Sequence, residues 1–404
     1  MSTLNRSIIA VFGILIVSII LIFSFYKPNT NIELETMNDS VLCIGFVEMW
    51  GNYSRSVALF EEIIKPEVNQ YAEEIGSGLR FDFIVLKAED SPSSLERVQE
   101  LDVVGVRYVI GSNCVACTSY SYIEDNDMML VSSRSRQPGF NRVDEHMFRV
   151  CPHDGDQGIA LARVLESKDI TNVAVLRRGD SRADAIFEVF NEEYVGDVLV
   201  DIRYPGESTI FRDELASIEA SISELEDSSH VGLLVLSNAE VEAMVDQAQS
   251  YLEVMGVPWF GADTTAKLDE SPFVDSIEGF EAVELYSVTH SVEYGEKWDQ
   301  LRSHYFDVTG VYPESVVGYD YDAAWLYALT LLEADSFERS VLAEALPKVG
   351  AGYRGVTGFI VLDVAGDRVN ACYDVWEYAV DDGVTVCQRV GYIDGSIGSV
   401  FWLG

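Results

Sequence analysis

The amino-acid sequence predicts an α/β protein of two doubly wound parallel-sheet lobes joined by a hinge and preceded by one N-terminal transmembrane helix. Three observations carry this expectation. From residue 41 onward, short β-rich apolar runs alternate with stretches of helical periodicity, and the whole alternation occurs twice. The apolar runs are continuous, as in parallel strands covered on both faces. Residues 7–26, SIIAVFGILIVSIILIFSFY, form an uncharged and almost wholly apolar run of the length that spans a bilayer core.

The elements follow in order. Arg6 before the apolar run and a strongly acidic chain after it place residues 1–6 in the cytoplasm and the remaining chain outside. The run ends in bulky IFSFYKP, without the small-residue exit of a cleaved signal peptide, so an uncleaved anchor is expected. No Cys precedes Cys43 to carry a lipid, and residues 27–40 read as a polar tether.

SVLCIGFV (40–47) then predicts a strand, residues 55–74 a helix that Pro66 can kink, and RFDFIVLK (80–87) a strand. SPSSLERVQEL supplies a helix, and RYVIG (107–111) and MMLVS (128–132) short buried strands. A second array starts after residue 153: helix DGDQGIALARVLES, strand NVAVLR (172–177), helix RADAIFEVFNEEY, helix 211–226, strand VGLLVL (231–236), helix 240–255 and strand VPWFG (257–261). In the 211–226 helix, Phe211, Leu215, Ile218, Ile222 and Leu225 fall on one face. The tail from 358 reads as an antiparallel meander with turns at Ala-Gly-Asp and Asp382-Gly383. Lobe one is expected over 41–153 plus 288–354, and lobe two over 154–287 plus 355–404.

Composition removes several classes of function. The 67 Asp and Glu against 27 Lys and Arg leave a formal net charge of -40, an acidic surface that repels nucleic-acid phosphates. The five His show no zinc spacing, and neither a nucleophile elbow nor a P-loop occurs, so no catalytic residue, metal or cofactor is expected. Cys114 and Cys117 form a C-V-A-C motif, here read as small residues in a loop after a buried strand, one of which could pair elsewhere. Cys372 and Cys387 are expected to be apart, because a turn at Asp382-Gly383 sets Cys387 opposite Tyr378.

Ligands of open α/β sheets bind beyond the carboxyl ends of the strands. Those loops carry Glu48 to Tyr53, Gly111 to Cys114, Ser133 to Arg136, Arg177 to Asp180, Ser237-Asn238 and Asp263 to Thr265. They offer hydrogen bonding and no catalytic set.

Over roughly residues 41–395 the chain resembles type I periplasmic binding proteins of the Leu/Ile/Val-binding kind, the receptors of branched-chain amino acid ABC transporters. The resemblance rests on YVIGSNCVACT, on LVSSRSRQP followed by FRVCPHDGDQGIALA, on VPWFGAD, on VTGVYPESVVGYDYDAAWLYALTL and on YRGVTGFIVLDVAGDRV, in the family's order. It implies an extracytoplasmic solute-binding protein with an ABC permease as partner, closing on a small polar ligand without converting it. Lobe one would hold the ligand through Ser112, Asn113 and Ser133, with Trp50 and Cys114 on neighbouring loops. Lobe two would add Asp180, Ser237, Asn238 and Asp263, and Asp263 occupies the place of the family's partner for an amino group. A membrane-tethered sensor on the same fold is the alternative.

Two departures bear on the ligand. The first loop, GFVEMWGNYS, lacks the family's Pro-Leu-Thr/Ser-Gly phrase, and Arg134 and Arg136 stand where a Thr-rich run is usual. With Arg177 and Arg178 they would put four guanidinium groups at the cleft, which suits an anionic or carboxylate-rich ligand, unless they pair with the protein's own acids.

Overall fold

The computed structural model describes residues 41–137, 146–268, 276–277 and 279–403. The expected transmembrane segment and tether lie outside these residues. Among the described residues no helix is long and apolar enough to cross a membrane.

The first array gives β1 (Val41–Met49), α1 (Tyr53–Ala58) running through a π-helical stretch Leu59–Ile64 into α2 (Lys65–Glu74), β2 (Arg80–Ala88), α3 (Ser91–Val103), β3 (Tyr108–Gly111), α4 (Val115–Asp125), β4 (Met129–Ser132) and β5 (Met147–Arg149). The sheet order is β2-β1-β3-β4-β5, with β1, β3, β4 and β5 parallel. Pro66 sits at the start of α2, where the helix continues from the π-helical stretch. It has no N–H for the carbonyl four residues back, and the helix widens to π geometry just before it. Asp90 starts α3 through a reciprocal capping box with Ser93.

The second array gives α5 (Gln157–Ser167), β6 (Asn172–Arg178), α6 (Ser181–Glu193), β7 (Asp197–Tyr204), α7 (Arg212–Ser223), β8 (Val231–Leu236), α8 (Val241–Ala248), α9 (Leu252–Met255), β9 (Trp259–Gly261) and β10 (Leu285–His290). Its five parallel strands run β7-β6-β8-β9-β10, which repeats the order of the first sheet. The meander β13 (Tyr373–Asp381), β14 (Val384–Asp394) and β15 (Ser399–Trp402) extends this sheet antiparallel from β10. Asp382 and Gly383 both have positive φ, 47° and 82°, as a tight hairpin turn of this hand requires. The register pairs Tyr378 with Cys387, so Cys372 and Cys387 are apart on their strands.

The expected helix over 240–255 is two helices. Tyr251 is extended at φ -120° and ψ 102°, and the Glu219 carboxylate accepts the N–H groups of Glu253 and Val254 that the break leaves unpaired. β5, β7 and β10 have no counterpart among the strands expected from sequence. β7 is an edge strand whose charges interrupt its apolar run, and β5 has three residues.

Both sheets are covered on both faces. In β3 and β4, Tyr108, Ile110, Met129 and Val131 point into one core, and Val109 and Leu130 into another. In β6 and β8, Val173, Val175 and Leu234 face one core while Ala174, Leu233 and Val235 face the opposite one. The chain returns to the first lobe after β10: α10 (Glu296–Thr309), α11 (Ser315–Glu333) and α12 (Arg339–Gly352) bury Trp298, Tyr305, Tyr327 and Leu346 in the core beside β1. The short strands β11 (Arg354–Gly355) and β12 (Gly358–Phe359) follow, and Val356 and Ile360 join that same core. The boundary expected at 287/288 falls inside β10, which pairs with β9 and β13 in the second sheet.

The chain therefore crosses between the lobes after β5, after β10 and between β12 and β13. The crossings are bonded to one another: Arg149 N–H donates to Gly366 O at 2.8 Å and Ser291 N–H to Cys372 O at 2.9 Å. Arg368, 1% exposed, donates to the carbonyls of Val150, Thr357, Phe359 and Asn370, and Arg149 is paired with Asp367. The hinge is thus a hydrogen-bonded bundle of three segments held by two buried arginines.

Candidate functional site

A strand order of 2-1-3-4-5 leaves a crevice at the carboxyl ends of its first and third strands, where the chain departs to opposite sides. Here that crevice lies between β1 and β3 in one lobe and between β6 and β8 in the other. A cavity of about 380 Å³ opens on the first lobe's crevice. Trp50, Asn113, Arg134 and Arg136 line it, with Arg55, Cys151, His290, Tyr305, Tyr312, Glu314 and Tyr319. A broader basin of about 490 Å³ at Thr171, Tyr194, Asp197 and His230 sits at the amino ends of the second lobe's strands, the wrong end for a ligand site of this fold.

Trp50 is the most conspicuous side chain of the cavity. It is 67% exposed and held at φ 67°, a conformation that costs a bulky residue energy and persists where surrounding structure imposes it. The surroundings here are the Asn113 side-chain amide, which donates to Met49 O, and Glu48, whose carboxylate accepts the Gly51 N–H at 3.0 Å.

Arg134 lines the cavity and is also paired with the protein's own acids. Its Nε donates to Asp320 Oδ1 at 3.0 Å, its Nη2 bonds the other oxygen of Asp320, and Nη1 and Nη2 reach Glu48 at 3.5 and 3.4 Å. Side-chain exposures are 12% for Arg134, 1% for Glu48 and 0% for Asp320. Burial pushes the Glu48 carboxyl above its ordinary value, and Arg134 works against that. The triad ties the ends of β1 and β4 to α11.

The other loop arginines are also engaged. Arg177 pairs with Asp184 and Asp201, and Arg178 with Asp180 and Glu240. Arg136 Nη1 donates to Asp263 Oδ2 at 2.7 Å, a contact from the first lobe to the second. Arg182 bonds the other Asp263 oxygen and reaches Asp154 Oδ2 at 3.2 Å. Burial pushes the Asp263 carboxyl up, but Arg136 and Arg182 outweigh it and hold the group well below the usual carboxylate range. Asp263 is ionised, and its charge is already answered.

The remaining expected residues divide into two groups. Ser112 and Ser133 have no exposed surface. Ser112 Oγ accepts the Met49 N–H at 2.7 Å and donates to Glu48, and Ser133 Oγ donates to Gly111 O at 3.5 Å, so both hydroxyls serve the loop backbone. Cys114 caps α4 by position without a side-chain capping hydrogen bond, and packs against the first lobe's core that holds Val109 and Leu130. In the second lobe, Asp180 caps α6 by accepting the N–H groups of Arg182 and Ala183. Asp180, Ser237 and Asn238 do come together, but in a recess of about 10 Å³ that Arg178 and Arg182 also line, room for roughly one water.

Arg55, His290, Tyr305, Tyr312 and Glu314 belong to the cavity and were not singled out from sequence. His290 ends β10, a strand the apolar pattern did not reveal, and the others lie on segments that sequence does not place beside the strand ends. Both His290 ring nitrogens are buried and have no partner among the described residues. Burial, together with Arg136, drives its pKa well down, so the ring is neutral. Asp154, Asp263 and His290 bring ligand atoms within 4.8 Å of one another, as a metal site would. A cation there would face the guanidinium groups of Arg136 and Arg182, which already neutralise both carboxylates.

Comparison with known proteins agrees with this fold. No curated protein matches the sequence. Among solved structures, an ABC transporter substrate-binding protein from Desulfitobacterium hafniense aligns with TM-score 0.63 and 18% identity over 86% of this chain and 100% of its own. A leucine-binding protein from Thermotoga maritima aligns with TM-score 0.59 and 17% identity over 88% and 99%. An ABC transporter solute-binding protein from R. palustris, in complex with benzoate, gives 0.53 and 15% over 86% and 96%. These likenesses carry the type I periplasmic binding protein fold. Residues 67–381 match the family described as the receptor family ligand binding region, so the chain belongs to that family.

Proposed function

We propose that the protein is an extracytoplasmic solute-binding protein that captures a small polar molecule between its lobes and delivers it unchanged to an ABC permease. The observation that carries this reading is the cavity itself: it lies at the carboxyl ends of the strands, and Arg136 on its wall reaches across to Asp263 of the opposite lobe. A ligand in that space touches both lobes and so favours the closed arrangement over the open one. Leucine and benzoate, named in the descriptions of two of these solved structures, are of a size such a cavity takes. A carboxylate-rich ligand loses its support, since Arg134, Arg177 and Arg178 are each matched by acidic side chains. The apolar run 7–26 would tether the protein to the membrane. The same tether suits a sensor, and permease and ATPase genes alongside the coding sequence would favour uptake over sensing.

A thermal-shift screen of the full chain against amino acids, monocarboxylates, dicarboxylates and amides tests the reading. A ligand at a hundredfold excess over Kd adds about 2.7 kcal/mol, a plainly visible shift. At least one compound is expected to respond, and silence from the whole panel would contradict the proposal.

A further inference from the structure

We infer that Cys114 and Cys117 form a reversible redox modification site, closed to an intramolecular disulfide by exchange with a low-molecular-weight disulfide, and that closure is felt in the loop walling the cavity. The C-V-A-C motif opens α4, with Cys114 at the N-cap and Cys117 in the third helical position. Three residues along a helix rise about 4.5 Å and turn nearly full circle, so their Cα atoms stand about 5 Å apart. A disulfide spans Cα separations of about 4.4–6.8 Å. The Cys114 backbone, at φ -82° and ψ 10°, stays close to helical, so this spacing holds at the cap. The sulfurs are neighbours: burial first, and then the Cys117 side chain, push the Cys114 thiol above its ordinary value. Both side chains are half-buried, within reach of a small reagent, whereas Cys151 and Cys372 are buried. Burial pushes the Cys43 and Cys151 thiols up to about 12, which withholds the reactive thiolate there.

The exchange balances with the disulfide RSSR as sole oxidant. One thiolate of the pair attacks a sulfur of RSSR and expels RS−. The second thiolate then attacks the protein sulfur of that mixed disulfide, expels the other RS− and closes Cys114 to Cys117. Two electrons pass to the reagent, and the two thiol protons leave with two RSH. Closure removes a contact from the cavity wall. Cys117 Sγ donates to Gln137 Oε1 at 3.2 Å and lies 3.7 Å from Ser135 Oγ, and a disulfide sulfur has no proton to donate. Between those two residues, Arg136 lines the cavity and reaches Asp263. Asn113, which precedes Cys114, also lines the cavity and donates to Met49 O beside Trp50.

The test incubates the full chain with excess glutathione disulfide, alkylates the remaining thiols and maps the peptides by mass spectrometry. The peptide holding both cysteines is expected to lose two hydrogens in more than half of the molecules, take up no alkylating group and recover both thiols with dithiothreitol. Cys114→Ser is expected to leave Cys117 as a glutathione adduct, because the thiol that would displace glutathione is gone. In the unsubstituted chain, two thiols that stay alkylatable, a lasting glutathione adduct on either, or a bond from either to a different cysteine overturns the inference. Hydrogen exchange of the oxidised and reduced forms tests the link to the cavity. Faster exchange at residues 133–137 is expected on closure, with the double variant Cys114→Ser, Cys117→Ser unmoved by the same treatment. Unchanged or slower exchange at 133–137 overturns that link.

Discussion

Replacing Arg134 with methionine is expected to lower stability by about 3–5 kcal/mol, the loss seen when one partner of a buried ion pair is removed. The guanidinium stands between Asp320 and Glu48, both essentially inaccessible to water, and its removal leaves two carboxylates buried without a countercharge. Ser56 and Ser112 still donate to Glu48, which softens the loss at that residue and not at Asp320. Urea denaturation of the full chain measures it. The double variant Arg134→Met, Asp320→Asn should recover part of the loss, because the charge left unpaired has itself been removed. A loss below about 1 kcal/mol would place Arg134 among exposed pairs and return it to the candidates for gripping a ligand.

Asp322→Ala is expected to be comparably damaging, by about 2–6 kcal/mol. The fully buried carboxylate on α11 accepts the backbone N–H of Val356 at 2.9 Å and of Thr357 at 2.8 Å, the Thr357 hydroxyl, and the Tyr353 hydroxyl at 3.1 Å. Without it two buried backbone N–H groups lose their partner, at about 1–3 kcal/mol each. The contact is close enough to select its neighbour: a Cβ on Gly355 would stand 2.2 Å from Asp322 Oδ1. Thr357 in turn bonds the hinge residue Arg368, so the change also loosens the crossing between β12 and β13. Asp322→Asn keeps one acceptor and should lose less. The urea midpoints of the two variants give the comparison, and a loss below about 1 kcal/mol for Asp322→Ala would mean that water replaces the carboxylate and that residues 353–357 are held by other contacts.

The fold was legible because its strands advertise themselves. VGLLVL is apolar throughout and all six residues are buried in β8, whereas DVLVDIRY of β7 carries the charges of an exposed edge and gives no continuous apolar run. The loops that bear the site could be located, since the carboxyl-end rule follows from topology alone. What their side chains do could not. Arg134 and Asp320 are separated by 186 residues, and Arg136 and Asp263 by 127, so nothing local tells whether an arginine meets a ligand or an acid from another element. Asp263 was the best candidate for a cation partner, and it does hold cations, both of them supplied by the protein. Ser112 and Ser133 looked like ligand donors because the loop backbone's own demand for hydrogen bonds is invisible until the chain is folded.

The central claim, that a ligand is held between the two lobes at the ends of their strands, is tested most directly by hydrogen exchange of the full chain with and without the tightest binder from the thermal-shift screen. The account predicts slowed exchange in both lobes at once, in the loops that follow β1, β3 and β4 and in those that follow β6, β8 and β9, because closure excludes water from both walls together. Slowing confined to one lobe, or centred on the basin around Thr171, Tyr194 and His230, would contradict it.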